Sequence, residues 1–316
     1  MRIVVTGAGG FVGAGLVDRL ARRARLPEEW SDIAAIVAVD SQLPKDPKSP
    51  VVNCCGDLTN PGFVEDLLAH PVDLLFHLAA VPGGSAAANY DLGWNVNVET
   101  VARLFHQLAR QSTPARVVFS SSIAVFGTPL PRDKIDDETL PLPTMSYGAQ
   151  KLISETLLAD LSRRGLVEGI SPRLSCVVAR PKQAGGHLSA YMSNIFHALK
   201  AGHTFDCPVS SQATSWFMSR DCCVDNLILA ATLPSHRFAG LRRGFNLPAL
   251  RLSMADLVES LVQNLGENAR DLVGFTPDSE LEGQFGAYPR LETPLADSLG
   301  FRHDGDGAQL VARALL

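Results

Sequence analysis

The residues of this chain best suited to chemistry are a serine triplet, Ser120-Ser121-Ser122, and a tyrosine and lysine four positions apart in Ser146-Tyr147-Gly148-Ala149-Gln150-Lys151. On a helix, residues four apart project from one face, so the ammonium of Lys151 would stand one turn from the phenol of Tyr147. A tyrosine ordinarily titrates at about 10, and a neighbouring cation favours its phenolate. Such a pair is a candidate general base for the proton of an alcohol. The same spacing also describes an ordinary surface contact, so its meaning depends on what the surrounding elements bring to it.

The first of those elements is the amino terminus. Arg2-Ile3-Val4-Val5-Thr6 leads straight into Gly7-Ala8-Gly9-Gly10-Phe11-Val12-Gly13, which reads as a buried strand, a turn and a helix start. Glycines at 7, 10 and 13 serve a tight turn, close approach of backbone to a pyrophosphate and close packing of helix on strand, and the helix start offers unpaired N–H groups to the anion. Leu16, Val17 and Leu20 give the helix an apolar face, and the next apolar run, Ile33 to Val39, ends in Asp40. An acid at that point suits the two ribose hydroxyls of NAD. With no arginine adjacent it also disfavours the 2′-phosphate of NADP. Gly7, Gly10, Phe11, Val12, Gly13 and Asp40 are therefore expected to hold NAD.

Strand and helix signals alternate from there. Val51 to Cys55 reads as a strand, Pro61 to His70 as a helix, Val72 to Leu78 as a strand, Asp91 to Arg110 as one long helix, and Arg116 to Ser120 as a strand that brings the serine triplet to the ligand-binding edge. Ser146 to Arg164 is helical, Ile170 to Val178 a strand carrying Arg173 and Ser175, Tyr191 to Ala201 and Cys222 to Leu233 are helices, and Thr214 to Met218 is extended. Met254 to Leu265 reads as the last amphipathic helix. Leu43 to Pro50, Val81 to Ala88 and Thr128 to Met145 read as loops. Asp57 and Leu58 follow the third strand, where Asp57 either meets adenine or caps the next helix. After the fourth strand, Leu78-Ala79-Ala80 allows backbone to lie close to a cofactor, and His77 reads as a satisfied core histidine.

Composition bounds the partners. The 316 residues are 46% hydrophobic, and 28 Lys+Arg against 33 Asp+Glu leave a formal charge of -5 without blocks of like charge. A small-molecule partner is expected, with no nucleic acid and no membrane. Six cysteines occur without C-x-x-C or metal-ligand spacing, so no metal is expected and the thiols read as reduced, as in a cytoplasmic protein. The first strand starts at Met1 or Arg2, which leaves no room for a signal peptide, and no apolar run approaches the roughly 18 residues of a membrane helix.

Glycine loop, acid after the second strand, serine after the fifth and Tyr-x-x-x-Lys on the following helix together resemble the extended short-chain dehydrogenase/reductase family, from Met1 to at least Leu233. The resemblance implies an α/β fold, a doubly wound Rossmann parallel sheet with a smaller C-terminal substrate-binding region. Residues 1–178 would bind NAD, with 219–233 returning to that domain, and 179–316 would form the substrate-binding region. It selects Ser122 from the triplet, because the catalytic serine of the family precedes a run ending in aromatic-Gly, here Phe126-Gly127. Tyr147 would be the base, Lys151 would lower its pKa and grip the nicotinamide ribose, and Ser122 would hold the substrate oxygen. Asn97 matches the family's active-site asparagine and would relay protons through water. The family often forms dimers through helices that here correspond to Asp91–Arg110 and Tyr147–Arg164, so a homodimer is expected.

Asp91-Leu92-Gly93-Trp94, Ser162-Arg163-Arg164-Gly165, Arg173-Leu174, Arg180-Pro181, Trp216 and Phe245-Asn246-Leu247-Pro248 resemble the branch of that family acting on D-erythronate. The chain departs from the branch in the loop Pro82-Gly83-Gly84-Ser85 and at Thr214. The branch implies oxidation of the C2 hydroxyl of a short sugar acid, with Arg180 meeting the carboxylate and Ser85, Thr214 and Ser215 as supporting donors. Two other readings share the motifs. A nucleotide-sugar 4-epimerase needs cations for a diphosphate, and from Gly185 to Ala213 only Lys200, His187, His197 and His203 are present. A non-catalytic NAD-sensing protein of the same fold would usually have lost the tyrosine or lysine.

Overall fold

Ile3, Val4 and Val5, and again Ile36, Val37, Ala38 and Val39, are buried at successive positions. Burial of both faces of a strand is what a parallel sheet covered by helices on each side requires. The structure, a computed structural model, describes residues 1–24, 26–30, 32–45, 49–181, 188–238 and 242–316. Part of the expected loop at 43–50 and His187 lie outside the described residues. The elements run β1 (Arg2–Thr6), α1 (Phe11–Ala21), β2 (Ala35–Asp40), β3 (Val51–Cys55), α2 (Pro61–Leu67), β4 (Leu74–His77), α3 (Gly83–Ala88), α4 (Tyr90–Trp94), α5 (Thr100–Leu108), β5 (Arg116–Phe119), β6 (Ser121–Ser122), α6 (Ser146–Arg163) and β7 (Glu168–Leu174).

The main sheet has eight strands. Its order is the short strand Gly244–Asn246, then β7, β5, β4, β1, β2 and β3, with β6 paired to β7. Pairing of β1 with β2 and β4, of β4 with β5 and of β5 with β7 is parallel throughout. Thr6 stands opposite His77 and His77 opposite Phe119, so the carboxyl ends of three central strands line up at one edge. This is the doubly wound α/β arrangement expected from the sequence.

The chain divides into two compact units, one of Met1–Val125, Met145–Arg173 and Val224–Phe245, the other of Phe126–Thr144, Leu174–Cys223 and Asn246–Leu316. The second unit is built on a three-stranded sheet in which Thr214–Ser219 pairs parallel with Cys176–Val178 and antiparallel with Leu250–Ser253. Its core gathers Tyr191, Phe196, Phe217, Leu257, Leu261 and Leu310. Helix Met254–Leu265 starts at a reciprocal cap between Ser253 and Asp256.

Several local expectations need correction. Val81 to Ala88 is not all loop: Gly83–Ala88 is helical, because Pro82 sits at the N-cap and alanines follow. The long helix at 91–110 is two α-helices joined by a π turn at Asn95–Glu99. The strand expected over 170–178 breaks at Ser175, where the chain leaves β7 in the main sheet for Cys176–Val178 in the smaller one. Met254–Leu265 is not the last helix. Ser279–Phe285, Pro294–Ser298 and Gly307–Ala314 follow, the first and third capped by Asp278 and Asp306. Asp57 does not cap α2. Asn60 does, accepting from Gly62 N, while Asp57 Oδ1 accepts from Thr59 N. Among the described residues no helix is long and apolar enough to cross a membrane.

One buried carboxylate fastens the end of the chain to the second unit's sheet. Asp304, 1% exposed, accepts Ser219 N at 2.8 Å and Ser219 Oγ at 2.5 Å, and Ser219 Oγ in turn accepts Cys222 N at the start of helix Arg220–Thr232. Asp304→Ala removes both acceptors from buried donors and is expected to lower stability by about 3 kcal/mol, checked by urea unfolding.

Candidate active site

The glycine loop is shaped by close contacts. Gly7 has φ +71°, and a Cβ there would stand 2.6 Å from Ala79 N, so the turn after β1 and the backbone after β4 are held against one another. A Cβ at Gly9 would lie 2.6 Å from Gln42 O and 3.3 Å from the Asp40 carboxylate. Asp40 ends β2 and accepts Gly9 N at 3.0 Å on Oδ2 and Ser41 N at 2.7 Å on Oδ1. Oδ1 also accepts Ser41 Oγ at 3.3 Å, so it is Oδ2 that keeps a lone pair for a ribose hydroxyl. Helix α1 begins at Gly10 with no side-chain cap and no acid in its first turn, so its amino-terminal N–H groups remain for a pyrophosphate. A cradle lined by backbone, with one carboxylate at the end of β2, fits NAD. Phe11, Val12 and Gly13 form the first turn of α1, and Leu78, Ala79 and Ala80 lie half-buried behind Gly7.

The three serines have different tasks. Ser120 Oγ donates to His77 O at 3.1 Å, and the buried Ser121 Oγ donates to Glu155 Oε1. Ser122 is half-buried, and its Oγ accepts only the local Ala124 N at 3.1 Å, which leaves its proton to donate.

Tyr147 and Lys151 occupy the first turns of α6, with Nζ 5.6 Å from the tyrosine ring centroid. Lys151 is only 2% exposed. Its ammonium donates to Ser120 O at 2.8 Å and lies 4.6 Å from the Phe119 ring centroid. Burial pulls its pKa down to about 7, against which the Glu155 carboxylate pushes up. Ser85 lies in α3, whose first residue, Gly83, faces Met145 and Tyr147: a Cβ there would be 3.1 Å and 3.9 Å from them.

Asn97 is placed differently from the expected proton relay. It is 1% exposed, its Oδ1 accepts Val81 N at 2.9 Å, and its Nδ2 donates to Val81 O at 3.0 Å and Gln150 Oε1 at 2.8 Å. Both ends of its amide are thus committed to pinning the π turn, and relay by this side chain is not what the geometry favours. Its carbonyl accepts Ser154 Oγ at 2.9 Å.

In the second unit the expected donors part company. Thr214 Oγ1 donates to Tyr288 O at 2.9 Å. Ser215 alternates to the other face of the strand, the side on which Phe217 joins the helical core, and is 3% exposed. The two therefore cannot line one pocket together. Arg180 is half-buried, and its carbonyl accepts His197 Nε2 at 2.8 Å.

Two buried groups of this region carry no expected role in the sequence. Glu155, one turn beyond Lys151, is gripped by Arg173 Nε at 3.0 Å and Nη2 at 2.9 Å. Its spacing of four from Lys151 was the available signal. His77 is fully buried and only half-satisfied: Nδ1 bonds Thr6 Oγ1 at 2.8 Å, while Nε2 finds no partner among the described residues. Its ring stacks on Phe119 at 5.9 Å. Burial first, and Lys151 second, push its pKa down to about 3.

Known proteins resemble this chain over nearly its whole length. The model of the NAD dependent epimerase/dehydratase family matches residues 3–232. A D-erythronate dehydrogenase of Cupriavidus necator is 32% identical over 98% of this chain and 97% of its own length. One from Haemophilus influenzae is 31% identical over 97% and 96%. The crystal structure of a protein described as a nucleoside-diphosphate-sugar epimerase from Agrobacterium tumefaciens superimposes with a TM-score of 0.91 at 32% identity, covering 98% of this chain and 92% of that one.

The depressed pKa of His77 has a measurable consequence. Because the unfolded chain binds a proton to this histidine at a higher pH than the folded one, its contribution to stability is complete above about pH 6.5 and is lost as pH falls towards 3. Wild type is expected to lose on the order of 4 kcal/mol through this group across that window. The measurement is urea unfolding against pH, where His77→Phe should show a shallower acid slope than wild type.

Proposed function

The chain belongs to the NAD dependent epimerase/dehydratase family and is an NAD-dependent oxidoreductase, and on that premise we propose that it oxidises the C2 hydroxyl of a D-erythronate-like sugar acid to the 2-oxo acid. NAD, when bound, accepts the hydride. Gly7, Gly10, Phe11, Val12 and Gly13 would hold its pyrophosphate, Asp40 the adenosine ribose, and Asp57, Leu58, Leu78, Ala79 and Ala80 would flank the rest. Ser122 donates its free proton to the substrate oxygen and orients it. Tyr147 removes the hydroxyl proton, and Lys151 stabilises the phenolate while it holds the nicotinamide ribose. Arg180 meets the carboxylate, and Ser85 supports the sugar hydroxyls. A carboxylate left bare in a closed pocket would cost several kcal/mol, so a cation is required. In this reading residues 1–178 and 219–233 serve the cofactor and 179–316 serve the substrate.

The observation that carries an acid over a nucleotide sugar is the fate of the cations between 188 and 213. Lys200 Nζ donates to Leu315 O at 2.6 Å and His197 Nε2 to Arg180 O at 2.8 Å, so two of the three basic side chains there, the third being the exposed His203, are committed to backbone rather than held out for a diphosphate. The names of the two relatives matched over nearly their full length support the same choice. The Agrobacterium tumefaciens structure favours a second reading, a nucleotide-sugar 4-epimerase with the same serine, tyrosine and lysine. We further infer a homodimer joined through α4, α5 and α6, which expose Tyr90, Leu92 and Ile153. Six cysteines, none of them joined in a disulfide, support a reducing, cytoplasmic setting.

The test is NADH formation against a panel of aldonic and other 2-hydroxy acids, with nucleotide sugars as a second panel. D-erythronate or a close relative should give NADH. Tyr147→Phe should lower turnover by about 100-fold or more while NADH binding persists. Arg180→Ala should raise KM for the acid by about tenfold or more and leave KM for NAD nearly unchanged. Turnover of a nucleotide sugar with silence from every acid would replace this reading with the epimerase.

A further inference from the structure

We propose that Glu155 is a positioning residue that favours the protonated form of Lys151 near neutral pH, and that Arg173 and Ser121 hold Glu155 in place to do so. The proposal rests on the reading of Lys151 as the lysine of the active site, but not on the identity of the substrate.

The geometry is specific. Lys151 and Glu155 are both buried and sit one turn apart on α6, with Lys151 2% and Glu155 6% exposed. The ammonium has a single hydrogen-bond acceptor among the described residues, Ser120 O at 2.8 Å. A carbonyl and the ring face of Phe119 do not replace the water that burial removes from a cation, and a carboxylate nearby is the group able to make up the difference. Glu155 is fixed by three donors: Ser121 Oγ and Arg173 Nε on Oε1, and Arg173 Nη2 at 2.9 Å on Oε2. The bidentate grip fixes the orientation of the carboxyl group. Gly244 closes the arrangement from the edge strand: a Cβ there would stand 2.5 Å from Glu155 Oε2. Ser121 precedes Ser122, so the same carboxylate also anchors the strand that carries the candidate catalytic hydroxyl.

The titratable and charged groups facing this pair are Tyr147 on α6, His77 from β4 and Arg173 from β7. The polar groups that α6 meets at the π turn, Asn97 with Gln150 and Ser154, are uncharged. His77 is neutral through the working range, with its pKa pushed down to about 3. Burial pulls the Lys151 pKa down and the Glu155 carboxylate pushes it up, which leaves it at about 7. Removing the carboxylate charge therefore lets Lys151 lose its proton at lower pH.

The experiment is Glu155→Gln, read in two ways. In the first, NADH affinity is followed by fluorescence against pH without turnover. In the second, the upper limb of the kcat/KM profile is measured on whichever substrate the wild-type enzyme accepts. Both inflections should move down by about one pH unit, and Glu155→Asp should restore them towards wild type. Should the single variant fail to fold because Arg173 is left without its carboxylate, Glu155→Gln/Arg173→Met removes the pair, and because the lost cation offsets part of the lost carboxylate the inflections should move the same way by less than in the single variant. Inflections that stay in place while thermal stability and turnover fall at every pH would make Glu155 a structural residue only and overturn the proposal. Failure of every hydroxy acid as substrate would leave the binding inflection still measurable, so the two readings fail separately.

Discussion

The constraint on which the rest of this site depends is the burial of an ammonium ion. A lysine removed from water loses several kcal/mol of hydration, and no single contact of Lys151 matches that. A ring face contributes at most about 2 kcal/mol when desolvated, and a hydrogen bond from a charged group about 1.5 to 3 kcal/mol. The neighbourhood supplies several terms together: contacts with the Ser120 carbonyl and the Phe119 ring, and the charge of the carboxylate one turn along. That requirement fixes where β5 ends, how α6 packs on the sheet and why a buried ion pair bridges α6 and β7. The neutral, half-satisfied histidine at the end of β4 belongs to the same economy of charge, since a second cation there would repel the first.

Much of this was legible along the chain because its signals are local. Gly7 to Gly13, Asp40 at the end of an apolar run, and Tyr147 with Lys151 four apart each announce an element and a position on it. What stayed hidden depends on partners far away in sequence. The π turn follows from an Asn97 amide locked on the backbone of Val81, 16 residues earlier, and on Gln150, 53 residues later. The role of Glu155 depends on Arg173 across β7, 18 residues on. Ser215 looked equivalent to Thr214 until the strand register turned one towards the helical core. The helices after residue 265 were missed although Asp278 and Asp306 stand as caps before them, because the glycine, proline and aspartate around them read as loop.

The same serine, tyrosine and lysine serve reactions as different as alcohol oxidation and sugar epimerisation, so specificity has to reside in groups outside that set. In the second unit many of the polar groups that might meet a ligand are already bonded to backbone. Thr214 holds Tyr288, Trp216 Nε1 holds Pro289 O at 2.8 Å, and Lys200 and His197 hold Leu315 and Arg180.

The division of the chain also orders its birth. The first unit is assembled from Met1–Val125, Met145–Arg173 and Val224–Phe245, and the edge strand that closes over Glu155 begins at Gly244. On a ribosome, the glycine loop, the serines and the Tyr-Lys helix all emerge early, yet the carboxylate beside Lys151 lacks its last neighbour until residue 244 has left the exit tunnel. Three of the second unit's strands, Cys176–Val178, Phe205–Cys207 and Thr214–Ser219, are made in the interval. Neither unit can therefore be finished as an amino-terminal fragment, and the nascent protein must carry an incompletely covered buried charge while the segment between Glu155 and Gly244 is made.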